Sequence, residues 1–350
     1  MNSNKKKILI VDDETTNLHY LGVILTSDYE VSLIKNSSEA VEAAKSIEPD
    51  LILLDLHMPS PDGFEVSKSL KTQLEIDIPI IFMSASHEKE LVEKALTLGA
   101  YDYLAKPFSP SIVHAKVKKT LQKTAHLALK NVYKKGIRLM DPFFEEGISG
   151  LKKELLFRWI EELVSSIENS QVSLGKLVSF FQDEYTEAAH NVNVSFLATT
   201  LGKNLRMQHS QLREIATAAI LFDIGKSAIE QEILNKTSLL DQKEVDIMQS
   251  HPLKSVQLAK ELGVTKPEIL NAIELHHEKL DGTGYPNNLV GPQIPLYAQI
   301  LSVCDIFDAL TTERTFRKKY SSFDGLMMMK KEMSSQINEK LVNSLITLLR

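Results

Sequence analysis

Ile8-Leu9-Ile10-Val11-Asp12-Asp13 is an apolar run that ends on two carboxylates, and its reading decides the first half of the fold. Two more runs of this kind follow: residues 51–54 read L-I-L-L before Asp55, and residues 78–83 lead into Ser84-Ala85. A strand that is apolar at every position is buried on both faces, as in a parallel sheet covered by helices. Helix-patterned stretches at 17–26, 38–47, 64–72 and 88–98 alternate with these runs. The expectation is therefore a doubly wound, five-stranded parallel α/β sheet of flavodoxin-like type. Residues just past the carboxyl ends of such strands meet in one crevice. Asp12, Asp13, Asp55, Ser84 and Lys106, which follows Leu104-Ala105, are expected to converge there.

Three carboxylates in one crevice repel one another unless a hard divalent cation binds them, and Mg2+ favours such oxygen ligands. A carboxylate held beside that cation and a lysine is placed to attack a phosphoryl group. Over residues 5–123 the chain resembles the receiver domain of two-component response regulators. The resemblance implies Asp55 as phospho-acceptor, with Asp12, Asp13, Asp55 and the His57 backbone around Mg2+. It also implies Ser84, Tyr103 and Lys106 as the groups that sense the phosphoryl, and a sensor histidine kinase as partner.

The second half turns on residues 275–286, L-H-H-E-K-L-D-G-T-G-Y-P. Adjacent His276 and His277 supply two imidazoles, common ligands for zinc, copper and iron. The turn Asp281-Gly282-Thr283-Gly284-Tyr285-Pro286 can bring its backbone close to a ligand. His190, Asp223, His251 and Asp305 lie on helix-patterned segments at inward positions, and Gly225-Lys226 follows the aspartate. With I-L-N-K at 233–236, H-P at 251–252, D-I-F-D-A-L-T at 305–311 and R-T-F-R at 314–317, the chain resembles the HD-GYP family of metal-dependent cyclic di-GMP phosphodiesterases. That resemblance implies an all-α HD-superfamily domain.

One departure stands out. The family's dyad segment resembles L-L-H-D-I-G-K, and here it reads Ile220-Leu221-Phe222-Asp223-Ile224-Gly225-Lys226. The aspartate is kept, but phenylalanine replaces the histidine, and a phenyl ring offers no lone pair. By resemblance, one metal would use His190, the missing histidine, Asp223 and Asp305. The other would use Asp223, His251, His276 and His277. The second set is complete and the first is one ligand short, which implies one well-held Fe or Mn ion and a weak or absent second. An additional glutamate found in some members, four residues before the first histidine, is Thr186 here, which argues against a third metal.

Hydrolysis of a phosphodiester needs an activated water and neutralised phosphate oxygens. Lys226, Arg314 and Arg317 are the candidate phosphate-binding cations, the bland reading of the two arginines being a solvated helix end. Residues 281–286 would receive the guanine base. Three functions compete: a cyclic di-GMP phosphodiesterase that tolerates Phe222, a degenerate HD-GYP module that binds nucleotide or a partner protein, and another HD-superfamily phosphohydrolase. A diguanylate cyclase or other signalling protein, and a second copy of the chain in a homodimer, are the expected protein partners.

Composition frames these readings. A chain of 350 residues has room for two cores, and 43% hydrophobic with 25% charged residues is ordinary for a globular protein. A net charge of −6 argues against a nucleic-acid polymer as ligand. The single Cys304 excludes an internal disulfide. Lys5-Lys6-Lys7 precedes an apolar run too short for a signal peptide or a membrane span, so a cytoplasmic protein is expected. The expected divisions are a receiver at 1–125, a helical connector at 126–175 and the HD-GYP-type domain at 176–350. Helical pattern is expected to break near Met140-Asp141-Pro142 and again at 147–150. His19, His57, His87, His114, His126 and His209 carry no ligand pattern of their own as side chains.

Overall fold

The computed structural model describes residues 5–73, 78–84, 100–170, 173–181, 185–234, 236–313 and 318–349. The stretch expected as a helix at 88–98, and Arg314 and Arg317, lie outside the described residues. The chain divides into two compact units, Met1–Thr124 and Ala125–Arg350.

In the first unit β1 (Lys7–Val11), β2 (Glu30–Ile34), β3 (Leu51–Asp55), β4 (Ile80–Ser84) and β5 (Asp102–Ala105) form one sheet of order β2-β1-β3-β4-β5, every pair parallel. The continuous apolar runs are explained by burial on both faces. Leu9, Val11, Ile52, Leu54 and Phe82 pack to one side, with Ala40 and Ala44 of α2 (Ala40–Ile47) and Val66 and Leu70 of α3 (Gly63–Gln73). Their neighbours Ile8, Ile10, Leu51, Leu53 and Met83 pack to the other, with Leu18, Leu21 and Leu25 of α1 (Thr15–Leu25). The period-2 alternation is thus shared between two cores rather than between core and solvent. The strand order reverses between β1 and β3, so the crevice opens beside Asp12 and Asp55.

Helix α4 (Pro110–Glu146) runs unbroken through Pro142, where a break was expected. The ring removes one helical hydrogen bond, a cost of about 3 kcal/mol. Against it, Tyr133, Met140 and Phe143 are fully or almost fully buried on this helix, each contributing roughly 1.5–3 kcal/mol. The second expected interruption is a 3-10 turn at Gly147–Gly150.

The second unit is helical throughout its main elements: α5 (Lys153–Glu168), α6 (Leu174–Val178), α7 (Glu187–Asn204), α8 (His209–Leu221), α9 (Gln231–Leu234), α10 (Gln242–Met248), α11 (His251–Glu261), α12 (Pro267–Glu274), α13 (Leu296–Thr311), α14 (Ser322–Glu332) and α15 (Glu339–Leu348). Leu129, Val132 and Tyr133 of α4 and Trp159 and Leu163 of α5 share one core with Val192 and Phe196 of α7 and Ile215 of α8. Tyr133 stacks on Phe181, centroids 5.3 Å apart, and meets Phe180 and Phe196 edge-on. The Trp159 indole N–H donates to the Val132 carbonyl at 2.8 Å, which satisfies its one polar atom inside this core.

Helix α7 is buried on every side from Ala188 to Gly202. Its polar residues must therefore find partners inside the protein. Ser195 and Thr199 hydroxyls donate to carbonyls four residues earlier, and the Asn191 amide donates to Ile220 O at 3.0 Å. This last bond ties α7 to the end of α8, immediately before Phe222 and Asp223.

Trp159→Ala should destabilise the helical unit by about 3–5 kcal/mol, because it empties a large core site and frees a buried carbonyl. Chemical denaturation of the full chain followed by far-ultraviolet circular dichroism measures this. A loss under about 1 kcal/mol would show that α4 and α5 do not depend on that contact.

Candidate functional site

In the first unit Asp12 follows β1, Asp55 ends β3 and Lys106 follows β5, so three strand ends supply the charges. The Lys106 ammonium lies 2.9 Å from Asp12 Oδ2 and 3.0 Å from Asp55 Oδ2. Asp12 Oδ1 accepts from the Glu14 N–H at 2.9 Å and the Asn17 amide at 3.1 Å. Burial pushes the Asp55 carboxyl above its ordinary value, and Asp12 adds to this while Lys106 opposes it. Asp55 Oδ1 is buried without a hydrogen-bond partner, and Asp12, Asp13 and Asp55 bring ligand oxygens within 4.8 Å of one another. A carboxylate trio with an unsatisfied oxygen fits a hard cation. Ser84 is buried at the end of β4, and its carbonyl accepts from Lys106 N at 2.7 Å. Tyr103 is half-buried, with the Lys116 ammonium 4.8 Å from its ring centroid. The His57 side chain is exposed and takes no part in this cluster.

In the second unit six sequence-predicted residues converge. Asp223 ends the turn after α8, His251 opens α11, His276 and His277 follow α12, His190 lies in the first turn of α7 and Asp305 lies on α13. His251 Nδ1 is 2.7 Å from Met248 O and His276 Nδ1 is 2.7 Å from Ile273 O. A carbonyl only accepts, so each Nδ1 donates and the Nε2, the nitrogen left to take a ligand, turns inward. Those two Nε2 atoms are 3.4 Å apart and lie 3.0 and 3.6 Å from Asp223 Oδ1. The oxygen itself is buried with no donor. Three lone pairs facing one point are mutually repulsive and fit a cation. With His277, these residues form a group whose ligand atoms all lie within 4.8 Å. Burial, then His276 and His251, hold the His277 imidazole well below its ordinary pKa, which keeps its lone pair available.

His190 completes the other side. Its Nε2 lies 3.0 Å from Asp305 Oδ1 and 3.5 Å from Asp223 Oδ2. Its Nδ1 lies 2.7 Å from Asp308 Oδ2, while Asp308 Oδ1 accepts from Asn193 at 2.9 Å and Thr312 at 3.2 Å. The fully buried Asp308 therefore fixes the His190 ring, a role not assigned from sequence. Its signal was present as a second carboxylate one turn after Asp305 in an apolar helix. Phe222 is fully buried, its ring centroid 5.5 Å from His190 and 4.9 Å from His276. Apolar carbon thus packs beside two of the candidate ligands.

Two glycines set this geometry. A Cβ on Gly225 would lie 2.2 Å from His251 O and 2.5 Å from Ser255 N, so only glycine lets the Asp223 turn approach α11. The Gly225 N–H donates to Ser255 Oγ at 2.7 Å. A Cβ on Gly284 would lie 2.5 Å from His277 O and Glu278 Cα, so the 281–286 turn folds directly onto the double histidine. Glu278, also not singled out from sequence, is buried and clamps that turn by accepting from Asn287 N at 2.6 Å and Leu289 N at 2.9 Å. Asp281 is exposed and accepts from Thr283 N at 3.0 Å and Thr283 Oγ at 2.6 Å, so it shapes the turn. Tyr285 stacks on His277 at 4.8 Å, and burial raises its phenol well above the usual range, leaving a protonated donor. His209 lies 2.7 Å from Glu168 in an exposed ion cluster and stays outside the site.

The comparisons with known proteins agree with this geometry. A family described as response regulator receiver domain matches residues 8–118, and one described as HD domain matches residues 169–341. The chain is 30% identical over 328 residues to a probable cyclic di-GMP phosphodiesterase of Vibrio cholerae, covering 90% of this chain and 71% of that protein. It belongs to the response regulators that join a receiver domain to an HD domain. It is also 28% identical over 344 residues to the cyclic di-GMP phosphodiesterase response regulator RpfG of Xanthomonas campestris pv. campestris, covering 97% of this chain and 86% of that one. A cyclic di-GMP phosphodiesterase of Thermotoga maritima is 27% identical over 316 residues, covering 89% and 81%. HD domains are metal-dependent phosphohydrolases, and the Asp223 cluster is able to hold a metal. Among the described residues no helix is long and apolar enough to cross a membrane.

Gly225→Ala should weaken Mn2+ binding at least about 10-fold, by pushing Asp223 away from His251. Isothermal titration of the full chain measures this. Unchanged affinity would mean that close packing of this turn does not set the metal-binding geometry.

Proposed function

We propose that the chain is a phosphorylation-controlled response regulator whose HD domain binds cyclic di-GMP at a centre built for one firmly held Fe or Mn ion, with slow hydrolysis at most. The observation that carries this reading is the convergence of Asp223 Oδ1 and the two Nε2 lone pairs of His251 and His276, beside a side occupied by Phe222. When bound, the metal supplies Lewis acidity and an activated water. The residues do the rest. His190, held by Asp308, keeps Asp305 in place at 3.0 Å. Tyr285, protonated and stacked on His277, offers a donor edge to the nucleotide. The turn at 281–286, clamped by Glu278, offers backbone amides.

In the receiver, Asp55 is proposed as the phospho-acceptor served by a sensor histidine kinase, with Asp12, Asp13 and the His57 carbonyl completing a Mg2+ site. Lys106 neutralises the added charge, and Ser84 and Tyr103 respond to it. A homodimer, and a diguanylate cyclase or other signalling protein as partner, remain part of the proposal. So does a cytoplasmic location. Phe222 favours a second reading: binding that transmits the receiver's state without turnover. Relatives named as 3'3'-cGAMP-specific phosphodiesterases, 32% and 31% identical over about half of this chain, make that dinucleotide the control substrate.

Anaerobically purified full chain, loaded with Mn2+ or Fe2+, should bind cyclic di-GMP and release linear dinucleotide or GMP only slowly on chromatography. Beryllofluoride should change the output or the oligomeric state, and Asp55→Asn should remove that change. Absence of cyclic di-GMP binding would overturn the proposal. Binding with no product, while Phe222→His turns over, would select the second reading.

Asp55→Asn should also leave the metal centre of the second unit intact, because the two sites share no residue. Equal Mn2+ content of the HD centre in variant and native chain, counted with Mg2+ saturating the receiver, checks this. A lowered content would show that Asp55 is needed for the fold.

A further inference from the structure

Helix α14 turns an apolar side to solvent. Leu326 and Met329 are buried in the core, while Phe323 is 59% and Met327 42% exposed on the other side. Phe323 is the one exposed phenylalanine among the described residues. Leaving such a ring in water forgoes roughly 1.5–3 kcal/mol of burial. Phe323, Met327 and Lys331 follow one another by four residues and so share one face, with Asp324 at its edge.

We infer that this face is the seam of a homodimer, with α14 of one copy packed antiparallel on α14 of a second copy about a two-fold axis near Met327. The inference rests on the homodimer proposed above and adds the surface that makes it. Three observations carry it. First, the face is self-complementary. The two-fold operation brings Met327 onto its own copy and sets residues 323 and 324 of each chain beside residue 331 of the other. The exposed Lys331 ammonium then meets the Phe323 ring and the exposed Asp324 carboxylate across the seam, twice over. That carboxylate is ordered in advance, because Asp324 Oδ2 accepts from Ser321 Oγ at 2.6 Å. Second, the platform is held before association, which lowers the entropy lost on pairing. Lys330 donates to Asn343 at 3.0 Å and lies 3.6 Å from Glu339 Oε1, tying α14 to α15. Gln336, in the turn between them, accepts from Leu280 N at 2.8 Å, so the same platform braces the 281–286 turn. Third, the long helix α4 is a poor seam. It holds no carboxylate from Pro110 to Met140, and Lys119, Lys123, Lys130 and Lys134 share its exposed side. A second copy laid along it in either direction sets ammonium against ammonium. Helix α14 has 11 residues, a length of roughly 16 Å, so alone it makes a seam smaller than a standard interface and the association is weak and concentration-dependent.

The test follows the full chain with Mg2+, with and without beryllofluoride, by sedimentation velocity over a concentration series. The native chain should self-associate reversibly in at least one of the two states. Phe323→Glu should weaken that association at least about 10-fold, and Lys331→Glu about 3-fold or more, while Lys130→Glu on α4 leaves it unchanged. A glutamate in the first turn suits the helix dipole, so lost association in Phe323→Glu is not a lost helix, and circular dichroism checks this. Cys304 is buried, so a cysteine introduced at the surface reports alone. Met327→Cys should give a disulfide-linked dimer on mild oxidation with diamide, because the axis sets two copies of that residue side by side. Leu127→Cys, on the exposed side of α4, should not. A dimer that persists unweakened in Phe323→Glu, or one linked through Leu127→Cys and not through Met327→Cys, would overturn the inference and leave the homodimer standing. A native chain that stays monomeric at every concentration in both states would overturn the homodimer, and this inference with it.

Discussion

The carboxylate of Asp223 is the constraint on which the second unit's site depends. It is almost fully buried, and burial alone would drive it to take up a proton. The Lys226 ammonium reverses that and holds it well below the ordinary carboxylate range. A charge kept inside a protein in this way demands partners at fixed distance, because an unpaired buried ion costs several kcal/mol. The glycine at 225, the carbonyls that orient His251 and His276, and the packing of α8 under Phe222 all serve that requirement. The receiver repeats the logic with different chemistry: Lys106 stabilises Asp12 and Asp55, and one oxygen of Asp55 is left unsatisfied.

The site is also expensive to build. Helix α7 enters the core with Asn191, Asn193, Ser195 and Thr199 fully buried, and each finds an internal acceptor. Asn193 and Thr312 donate to Asp308, Asp308 holds His190, and His190 meets Asp305 and Asp223. This polar chain is rigid because every link has one geometry in a low-dielectric interior. Phe222 therefore adds apolar packing beside His190 and His276 without loosening the polar order around them.

Much of the fold was legible because burial on both faces writes itself as uninterrupted apolar runs, as in Ile8-Leu9-Ile10-Val11 and Leu51-Ile52-Leu53-Leu54. The strand ends then placed Asp12, Asp55 and Lys106 together with no further information. The six candidate ligands of the helical unit were legible through the family resemblance that their motifs carry, and they do converge. Pro142 misled, since a local signal for a helix break was outweighed by the burial of Met140 and Phe143 on either side. Asp308 and Glu278 were hidden for a different reason. Each acts through another residue distant in sequence, such as His190 lying 118 positions from Asp308. Spacing within a segment carries no trace of such pairings.

The central claim is that Asp223, His251, His276 and His277 hold one metal and that the place beside Phe222 holds none. Anomalous diffraction from crystals of the Mn2+-loaded chain addresses it directly. The account predicts one peak in the helical unit, bounded by those four side chains. A second peak of comparable height between His190, Asp223 and Asp305 would contradict it.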